Sequence, residues 1–371
     1  MAGRTSEAPK YQQVHEILVG EIRSGRWKTG DRLPSEAELV RRFGASRITV
    51  GRAVRDLQLA GVVERRAGSG TFVRAAVATG GLSFGLLIPD LGETDIFEPI
   101  CQGMMGSPLA RQHALIWGSL PGNTASSSKG ERARELCQQY IDRRVAGVFF
   151  APLEHTADKD EVNAAIAEAL EQARIPLVLL DREVLPYPRR GPHDLVGIDN
   201  RRAGFLVTDH LLQLGARRIG FLGLPNAAAT VAAREAGYRE ALFARQATVE
   251  RTLVRLIDPA DTEAVREWLS RAKPDGIVCA NDWTAARLQR SLIDLGVSVP
   301  GEVRLVGIDD VPYAGLLPVP LTTLRQPTRD LGAAALAAML DRVAGSELPT
   351  RDILLHGSLV VRKSCGAGPS K

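Results

Sequence analysis

Hydrophobic side chains recur at helical spacing near the start of the chain. Within residues 11–24, Val14, Ile17, Leu18 and Ile22 fall on one face of a helix, and polar residues fall on the other. A single apolar face of this kind predicts a helix that packs against neighbouring helices.

Two further helices are predicted directly after it. Ser35 and Glu38 have the spacing of a capping box, so a second helix begins there and covers about residues 36–43. Gly44 suits the end of that helix, and Ser46 can cap a third helix. Because the gap between the two helices is so short, we expect them to cross sharply.

The third helix is predicted to bury one face and to leave the other free. Val50, Ala53, Val54 and Leu57 repeat at the spacing of a buried face. The residues left to meet a partner are Arg47, Ile48, Thr49, Arg52 and Arg55.

Two short β-rich runs follow Gly61, on either side of Gly68-Ser69-Gly70. This pattern predicts a β-hairpin with exposed backbone at its tip, which completes a winged helix. Residues 1–74 contain 14 lysines and arginines against 8 acidic residues, whereas the rest of the chain contains 33 against 35. A basic module on a nearly neutral body is expected when that module contacts phosphates.

A second module is predicted beyond a small-residue linker at residues 74–81. Its continuous apolar runs, separated by helical stretches, predict parallel sheets covered on both faces. Nine runs are too many for one small sheet, so we expect two lobes that divide near residues 195 and 320. The runs lie at 83–89, 114–118, 145–152, 176–181, 195–199, 218–223, 252–257, 276–281 and 303–309.

Polar pairs end several of these strands. In open α/β sheets ligands bind beyond the carboxyl ends of the strands, which makes such residues candidates for a binding site. The pairs are Asp181-Arg182, Asp199-Asn200, Asn281-Asp282 and Asp309-Asp310. We expect Asp199-Asn200 to cap the helix that follows them rather than to bind a ligand.

The first module resembles the GntR family of bacterial regulators through residues 30–36, Ser46-Arg47, Thr49-Val50 and residues 68–73. The resemblance implies that the third helix enters the major groove of DNA and that the hairpin follows the backbone or minor groove. The positions it nominates for DNA contact are Arg32, Ser35, Glu36, Ser46, Arg47, Thr49, Arg52, Arg65, Arg66, Gly68, Ser69 and Gly70.

Within this set, Arg47 is our first choice for a base contact, since its guanidinium can donate to guanine O6 and N7. Ser46 and Thr49 are short enough to bind a phosphate or a thymine methyl group, and Arg52 with Arg65 or Arg66 would neutralise phosphates. Two departures from the family concern the operator. Ala37 and Gly51 stand where many relatives carry arginine, so we expect a different operator sequence.

Residues 82–365 resemble the effector domain of the LacI family, itself similar to periplasmic sugar-binding proteins. The matches include Phe84–Pro89, Asp181-Arg182, Asn281-Asp282, Val306–Asp310 and Leu321–Gln326. The resemblance implies a two-lobed α/β fold with the effector between the lobes, held by Phe97, Asp181, Arg182, Arg234, Asn281, Asp309 and Gln326. A GntR-type head on a LacI-type body is the arrangement of arabinose regulators of the AraR type.

Such side chains suit a polyhydroxyl ligand. A carboxylate accepts from vicinal hydroxyls, an arginine supplies a planar fork of donors, and an aromatic ring packs on the apolar face of a sugar. The common Asn-Pro-Phe pattern is replaced here by Thr94-Asp95-Ile96-Phe97, so the identity of the ligand stays open. Trp283 could stack on a ligand or pack against a neighbouring helix, and we favour packing.

The sequence therefore predicts a cytoplasmic, multidomain DNA-binding regulator with a disordered tail at residues 366–371. We expect a repressor of carbohydrate-metabolism genes that binds a palindromic operator as a homodimer and is released by a sugar-like effector. An activator, or a sensor of a nucleoside or other non-sugar ligand, remains open. A solute-binding protein for transport is disfavoured by the basic first module and by the lack of a signal peptide.

Other classes of protein find little support in the chain. The motifs HExxH, G-x-S-x-G and Walker A are all missing, and the 6 histidines are scattered, so we expect no enzyme and no cofactor. The 4 cysteines form no CxxC pair, which argues against a zinc site. No apolar run approaches the length needed to span a membrane.

Overall fold

The computed structural model describes residues 10–23, 26–28, 30–59, 62–66, 69–73, 81–88, 95–118, 128–247 and 249–367. These residues form two compact units. The first contains the described residues up to Leu82, with 111–114 and 340–347, and the second contains the remainder. Residues 74–80 of the expected linker and 368–371 of the expected tail lie outside the described residues.

Three helices and a hairpin make up the described part of residues 10–73. The elements are α1 (Lys10–Arg23), α2 (Glu36–Phe43), α3 (Arg47–Leu59), β1 (Val63–Arg66) and β2 (Gly70–Val73). The two strands pair antiparallel, with Val63 opposite Val73 and Arg66 opposite Gly70. The winged helix predicted from the sequence is therefore confirmed.

Local sequence signals place the ends of α2 as predicted. The hydroxyl of Ser35 accepts from the backbone N–H of Glu38, whose carboxylate in turn accepts from the backbone N–H of Ser35 at 2.7 Å. Gly44 ends the helix at φ 55°, in the left-handed region that glycine adopts at little cost. The turn between α2 and α3 is thus determined by residues on both sides of it.

The core of this unit forms where α1, α2, α3 and the hairpin meet. Leu18, Leu39, Val50 and Leu57 are fully or almost fully buried there. Ile17 differs from the prediction, because 46% of it is exposed. The buried stripe of α1 follows an i, i+4, i+8 spacing from Val14, and position 17 falls at its margin.

The second unit contains two six-stranded sheets among its described residues. In the first sheet, of order β13-β7-β6-β5-β3-β4, the strands β13, β7, β6, β5 and β3 run parallel. Its strands are β3 (Ser83–Leu87), β4 (Ala114–Trp117), β5 (Gly147–Phe150), β6 (Leu177–Leu180), β7 (Asp194–Ile198) and β13 (Asp352–Leu355).

The second sheet has the order β14-β12-β11-β10-β8-β9, and β14 pairs antiparallel to β12 at one edge. The other pairs in this sheet are parallel. Its strands are β8 (Ile219–Gly223), β9 (Val254–Leu256), β10 (Gly276–Cys279), β11 (Arg304–Asp309), β12 (Thr322–Arg325) and β14 (Ser358–Val360).

Helices connect the strands, and the chain passes between the sheets after β7, after β12 and after β13. We call the two halves the first and the second lobe, according to the sheet that each contains. The helices are α4 (Phe97–Gly106), α5 (Lys129–Asp142), α6 (Lys159–Gln172), α7 (Asn200–Gln213), α8 (Ala229–Ala244), α9 (Thr262–Ala272), α10 (Asp282–Asp294) and α11 (Thr328–Val343). None of the described helices is long and apolar enough to span a membrane.

All nine predicted strands are present in this unit, but β12, β13 and β14 were not predicted. Seven of the nine are internal strands, which are apolar because a central parallel strand is covered on both faces, as in β6, where every residue is buried. In β13 exposed and half-buried residues alternate, and β14 has only three residues. β13 and β14 are edge strands and lack the continuous apolar run on which the prediction depended. β12 is an internal strand, but three of its four residues are threonine or arginine, so it also lacks such a run.

Candidate functional site

The N-terminal turn of α3 presents a free surface. Arg47 is exposed, and 85% of Ile48 is exposed. On the opposite face, Val50 and Ala53 are completely buried. The division between free and buried faces follows the sequence pattern, and Arg47 stands where an N-terminal base contact is predicted.

Ser46 and Thr49, both predicted to contact DNA, also serve the helix itself. The backbone N–H of Thr49 donates to Oγ of Ser46 at 3.2 Å, and the two hydroxyl oxygens lie 2.8 Å apart. This arrangement satisfies an N–H group that the helix end would otherwise leave unpaired. If these hydroxyl groups contact DNA, they do so while also capping the helix.

Two predicted phosphate contacts have partners within the module. The guanidinium of Arg52 lies over the ring of Tyr11, 3.8 Å from its centroid. Arg65 lies 3.7 Å from the carboxylate of Glu36, itself a predicted contact, and 65% of the Arg65 side chain is exposed. An ion pair this exposed is worth little in water, so Arg65 can exchange Glu36 for a phosphate at small cost.

Arg32 lies beside the hairpin, where its backbone forms an isolated antiparallel β-bridge with that of Phe72. Gly70 has φ +119°, and a Cβ built there would be 2.7 Å from Nε of Arg32. Glycine at position 70 therefore permits both the backbone conformation and the close approach of the arginine. Ser35 and Ser69 are exposed, while Gly68 and the side chain of Arg66 lie outside the described residues.

The second unit contains a cavity of about 520 Å³, open in part to solvent, at the carboxyl ends of strands from both lobes. Six of the seven predicted effector contacts line it, namely Phe97, Asp181, Arg182, Arg234, Asn281 and Asp309. Gln326 lies behind Asp309 instead, and its Nε2 donates to Oδ1 of Asp309 at 2.7 Å.

Arg234, on α8, is held by the second lobe. Its Nε donates to Oδ1 of Asn200 at 2.8 Å, and its Nη1 donates to the carbonyl of Ala280 at 2.6 Å. Its Nη2 lies 3.7 Å from Asp309. Asp199 caps α7 as predicted, accepting from the N–H of Arg202, whereas Asn200 has the further role of orienting Arg234.

Asn281 lines the cavity and also caps a helix. Its Oδ1 accepts from the backbone N–H of Thr284 at 2.8 Å in the first turn of α10. Asn281 was predicted to contact the effector, but its amide oxygen is already used by the helix cap.

Arg182 belongs to a buried group of charges in the first lobe. Its Nη1 is 2.5 Å from Oε1 of Glu154, its Nε is 3.6 Å from Asp181, and its guanidinium lies 5.5 Å from the centroid of the Phe97 ring. Oε2 of Glu154 accepts from the backbone N–H of Ala228, which precedes α8 of the second lobe, at 3.2 Å. Glu154 thus connects the lobes at the cavity wall.

Glu154 was not among the residues predicted from the sequence. It follows strand β5 by four residues, so the rule that polar residues at the end of a strand line a site would have identified it.

Trp283 was expected to pack against a neighbouring helix, yet it lines the cavity with 38% of its surface exposed, and Arg287 stacks on its ring at 4.4 Å. The other lining residues that were not nominated are Asp95, Ile96, Thr230, Val231, Val311 and Tyr313.

Burial shapes the ionisation of these carboxyl groups. Burial alone would raise the pKa of Glu154, but the charge and hydrogen bond of Arg182, together with His155 and the N–H of Ala228, outweigh it and lower the pKa to about 2. Burial raises the pKa of Asp181 and of Asp309, although Arg234 opposes both shifts. Asp282, which accepts from Thr323 at 2.6 Å, is likewise raised in pKa by burial and adds to the negative charge near Asp309.

Acidic groups therefore outnumber basic ones at the cavity wall. The described lining contains four carboxyl groups, those of Asp95, Glu154, Asp181 and Asp309, against the guanidinium groups of Arg182 and Arg234. One buried acceptor, Oδ1 of Asp181, has no hydrogen-bond partner. No group of three or more described His, Cys, Asp or Glu side chains could hold a metal ion.

Two families match separate parts of the chain. Residues 10–73 match the bacterial regulatory proteins of the gntR family, and residues 208–365 match the periplasmic binding protein-like domain. These ranges correspond to the winged helix and to most of the second lobe with α11, β13 and β14.

Named relatives extend the match to nearly the whole chain. An arabinose metabolism transcriptional repressor of Geobacillus stearothermophilus is 28% identical over 96% of this chain and 97% of its own length. The HTH-type transcriptional regulator MalR of Streptomyces coelicolor is 30% identical over 77% of this chain and 81% of its own.

A solved structure supports the same fold. The transcriptional regulator CelR in complex with cellobiose has a TM-score of 0.64 and 25% identity, covering 86% of this chain and 90% of its own. These relatives are transcriptional regulators rather than enzymes, in agreement with the sequence analysis. The chain belongs to the bacterial transcriptional regulators that join a gntR-family winged helix to a periplasmic-binding-protein-like domain.

Proposed function

We propose that this regulator represses genes of carbohydrate metabolism and that an uncharged sugar in the cavity releases it from DNA. The observation that carries the proposal is the acidic, partly open cavity of about 520 Å³ between two lobes, with a buried Asp181 acceptor that lacks a partner. A hydroxyl group of a ligand can donate to that oxygen.

The charges of the cavity define the class of sugar. Both arginines already face carboxylates, Arg182 at Glu154 and Arg234 at Asp309. A phosphate or carboxylate on the ligand would therefore be brought near further negative charge without a free cation to receive it. A neutral polyol instead supplies donors to the carboxylates and acceptors to the guanidinium groups.

The names of the relatives point to the same class. One is a repressor of arabinose metabolism, and another was solved in complex with cellobiose. Trp283 supports a second candidate, because an exposed indole at the cavity can stack on a nucleoside base as readily as on a sugar.

DNA binding is assigned to α3 and the hairpin, with Arg47 against base edges and Arg65 against phosphate. A single module of this size buries little DNA surface, so selective binding calls for two heads on a two-fold operator. We therefore propose a homodimer that acts in the cytoplasm and binds a near-palindromic site.

The test begins with duplexes selected from a random library by the full-length protein. Thermal melting is then measured with neutral pentoses and hexoses, their phosphates and nucleosides, because a ligand of the folded state raises the melting temperature. A neutral sugar should stabilise the protein and release it from the selected duplex. The proposal is wrong if a phosphorylated sugar or a nucleoside does so and no neutral sugar does.

A further inference from the structure

An exposed isoleucine stands on the free surface of α3. Ile48, the second residue of the helix, has 85% of its surface exposed, whereas Val50 and Ala53 on the opposite face are buried. Its neighbour Arg47 is also exposed. A single exposed apolar side chain is common on proteins, so its surroundings decide whether it signifies a contact.

The surroundings of Ile48 leave space beside its side chain. Gly51 lies three residues later on the same helix face, and a Cβ built there would meet no atom within 4 Å. Arg52, a full turn after Ile48, has its guanidinium over the ring of Tyr11 on α1. No side chain therefore projects from the helix at position 51, beside Ile48, and the guanidinium of Arg52 is directed towards α1.

Only one base offers an apolar group to such a surface. In the major groove thymine presents its 5-methyl group, while the other bases present hydrogen-bond donors and acceptors. A polar base edge against Ile48 would lose water without gaining a partner, which disfavours it.

We infer that Ile48 reads the 5-methyl group of one thymine in each half-site and that Gly51 provides the space for this contact. The inference rests on the proposed function of α3 in the major groove. It makes Ile48 a specificity-determining residue next to Arg47, which is assigned to guanine.

The experiment uses duplexes selected by the full-length protein and variants in which each dT is replaced in turn by dU. Replacement of the contacted dT in both half-sites should weaken wild-type binding about three- to tenfold per half-site, the effect of removing one buried methyl group from each. Ile48→Ala should bind the parent duplex that much more weakly. It should lose nothing further on the dU duplex, because the contact is already gone.

Two control variants sharpen the measurement. Ile48→Val keeps a branched side chain and should fall between wild type and Ile48→Ala. Ile17→Ala removes the same side chain from α1, where 46% of it is exposed, and should respond to dU as wild type does. Thermal melting checks that each variant is folded.

The inference is overturned if no single dU weakens wild-type binding, or if the losses from Ile48→Ala and from dU multiply. Failure of the wild-type protein to select any duplex would instead refute the proposed DNA binding itself.

Discussion

The carboxylate of Glu154 lies 2.5 Å from the guanidinium of Arg182, and both side chains are buried at the cavity wall. Its second oxygen accepts from the N–H of Ala228 on the other lobe. One side chain thus stabilises the charge of Arg182, which lines the cavity, and the start of the helix that carries Arg234. Loss of that carboxylate should affect both stability and the ligand response.

Glu154→Gln should lower the free energy of unfolding by about 3 kcal/mol, since removing one partner of a buried ion pair leaves the other charge uncompensated. Asp181, 3.6 Å from Arg182, limits the loss. Urea denaturation measures it. The matched control is Glu161→Gln, which breaks a pair with Arg134 in which 82% of Glu161 is exposed and should cost less than about 1 kcal/mol. Equal losses in the two variants would contradict the prediction.

The same pair predicts a pH dependence. Because Arg182, with His155 and the N–H of Ala228, outweighs burial and lowers the pKa of Glu154 to about 2, the folded state holds this proton less tightly than the unfolded state, whose pKa is 4.5. The stabilisation by Glu154 is complete above that value and is lost as the pH falls towards 2. Wild type and Glu154→Gln should therefore differ less in stability at about pH 3 than at about pH 6. A constant difference would disprove the linkage.

The contribution of Asp309 to the stability of the folded state should change with pH in the opposite direction. Burial raises the pKa of Asp309, so its charged form destabilises the folded state once the pH rises from the ordinary value of 3.8 through the raised one. Asp309→Asn removes that charge and should raise stability by about 1 kcal/mol or more at pH 8. Its effect should be smaller at about pH 5, where the folded carboxyl is protonated. Denaturation at both pH values tests this, and a larger gain at the lower pH would refute it.

The sequence was sufficient to predict those elements whose residue pattern is determined by local burial or by capping. The buried strands β5 and β6 are continuous apolar runs, and the capping box of Ser35 and Glu38 acts over three residues. The six cavity residues were found because strand ends and family motifs mark them. Local signals of this kind do not depend on how distant segments meet.

Contacts between segments that are distant in the sequence could not be predicted from it. Arg52 lies on Tyr11 only because α1 packs against α3, and Glu154 meets Ala228 only because two lobes face each other. Nothing in the spacing of these residues specifies either approach. Gln326 illustrates the same limit, since the motif places it near the site but not behind Asp309.

Arg234→Ala should abolish release by the ligand and leave operator binding intact. Arg234 contacts the cavity and Asp309, but it lies in the second unit and not in the winged helix. Fluorescence anisotropy on the selected duplex, with and without ligand, measures both quantities. Arg239→Ala, which alters an exposed arginine on the same helix, should behave as wild type. Unchanged release from Arg234→Ala would place the site elsewhere.

Arg47→Ala should relax base preference at one position of each half-site. A guanidinium that donates to guanine O6 and N7 contributes about 1–3 kcal/mol of discrimination, so the variant should bind all four bases there with similar affinity. Arg55→Ala, at an exposed position later on α3, should weaken binding evenly across sequences if it contacts phosphate at all. Competition binding with single-base variants of the selected duplex separates the two cases. An even loss for Arg47→Ala as well, with a shallower salt dependence, would show that Arg47 contacts phosphate and that the base is read by another residue of the helix.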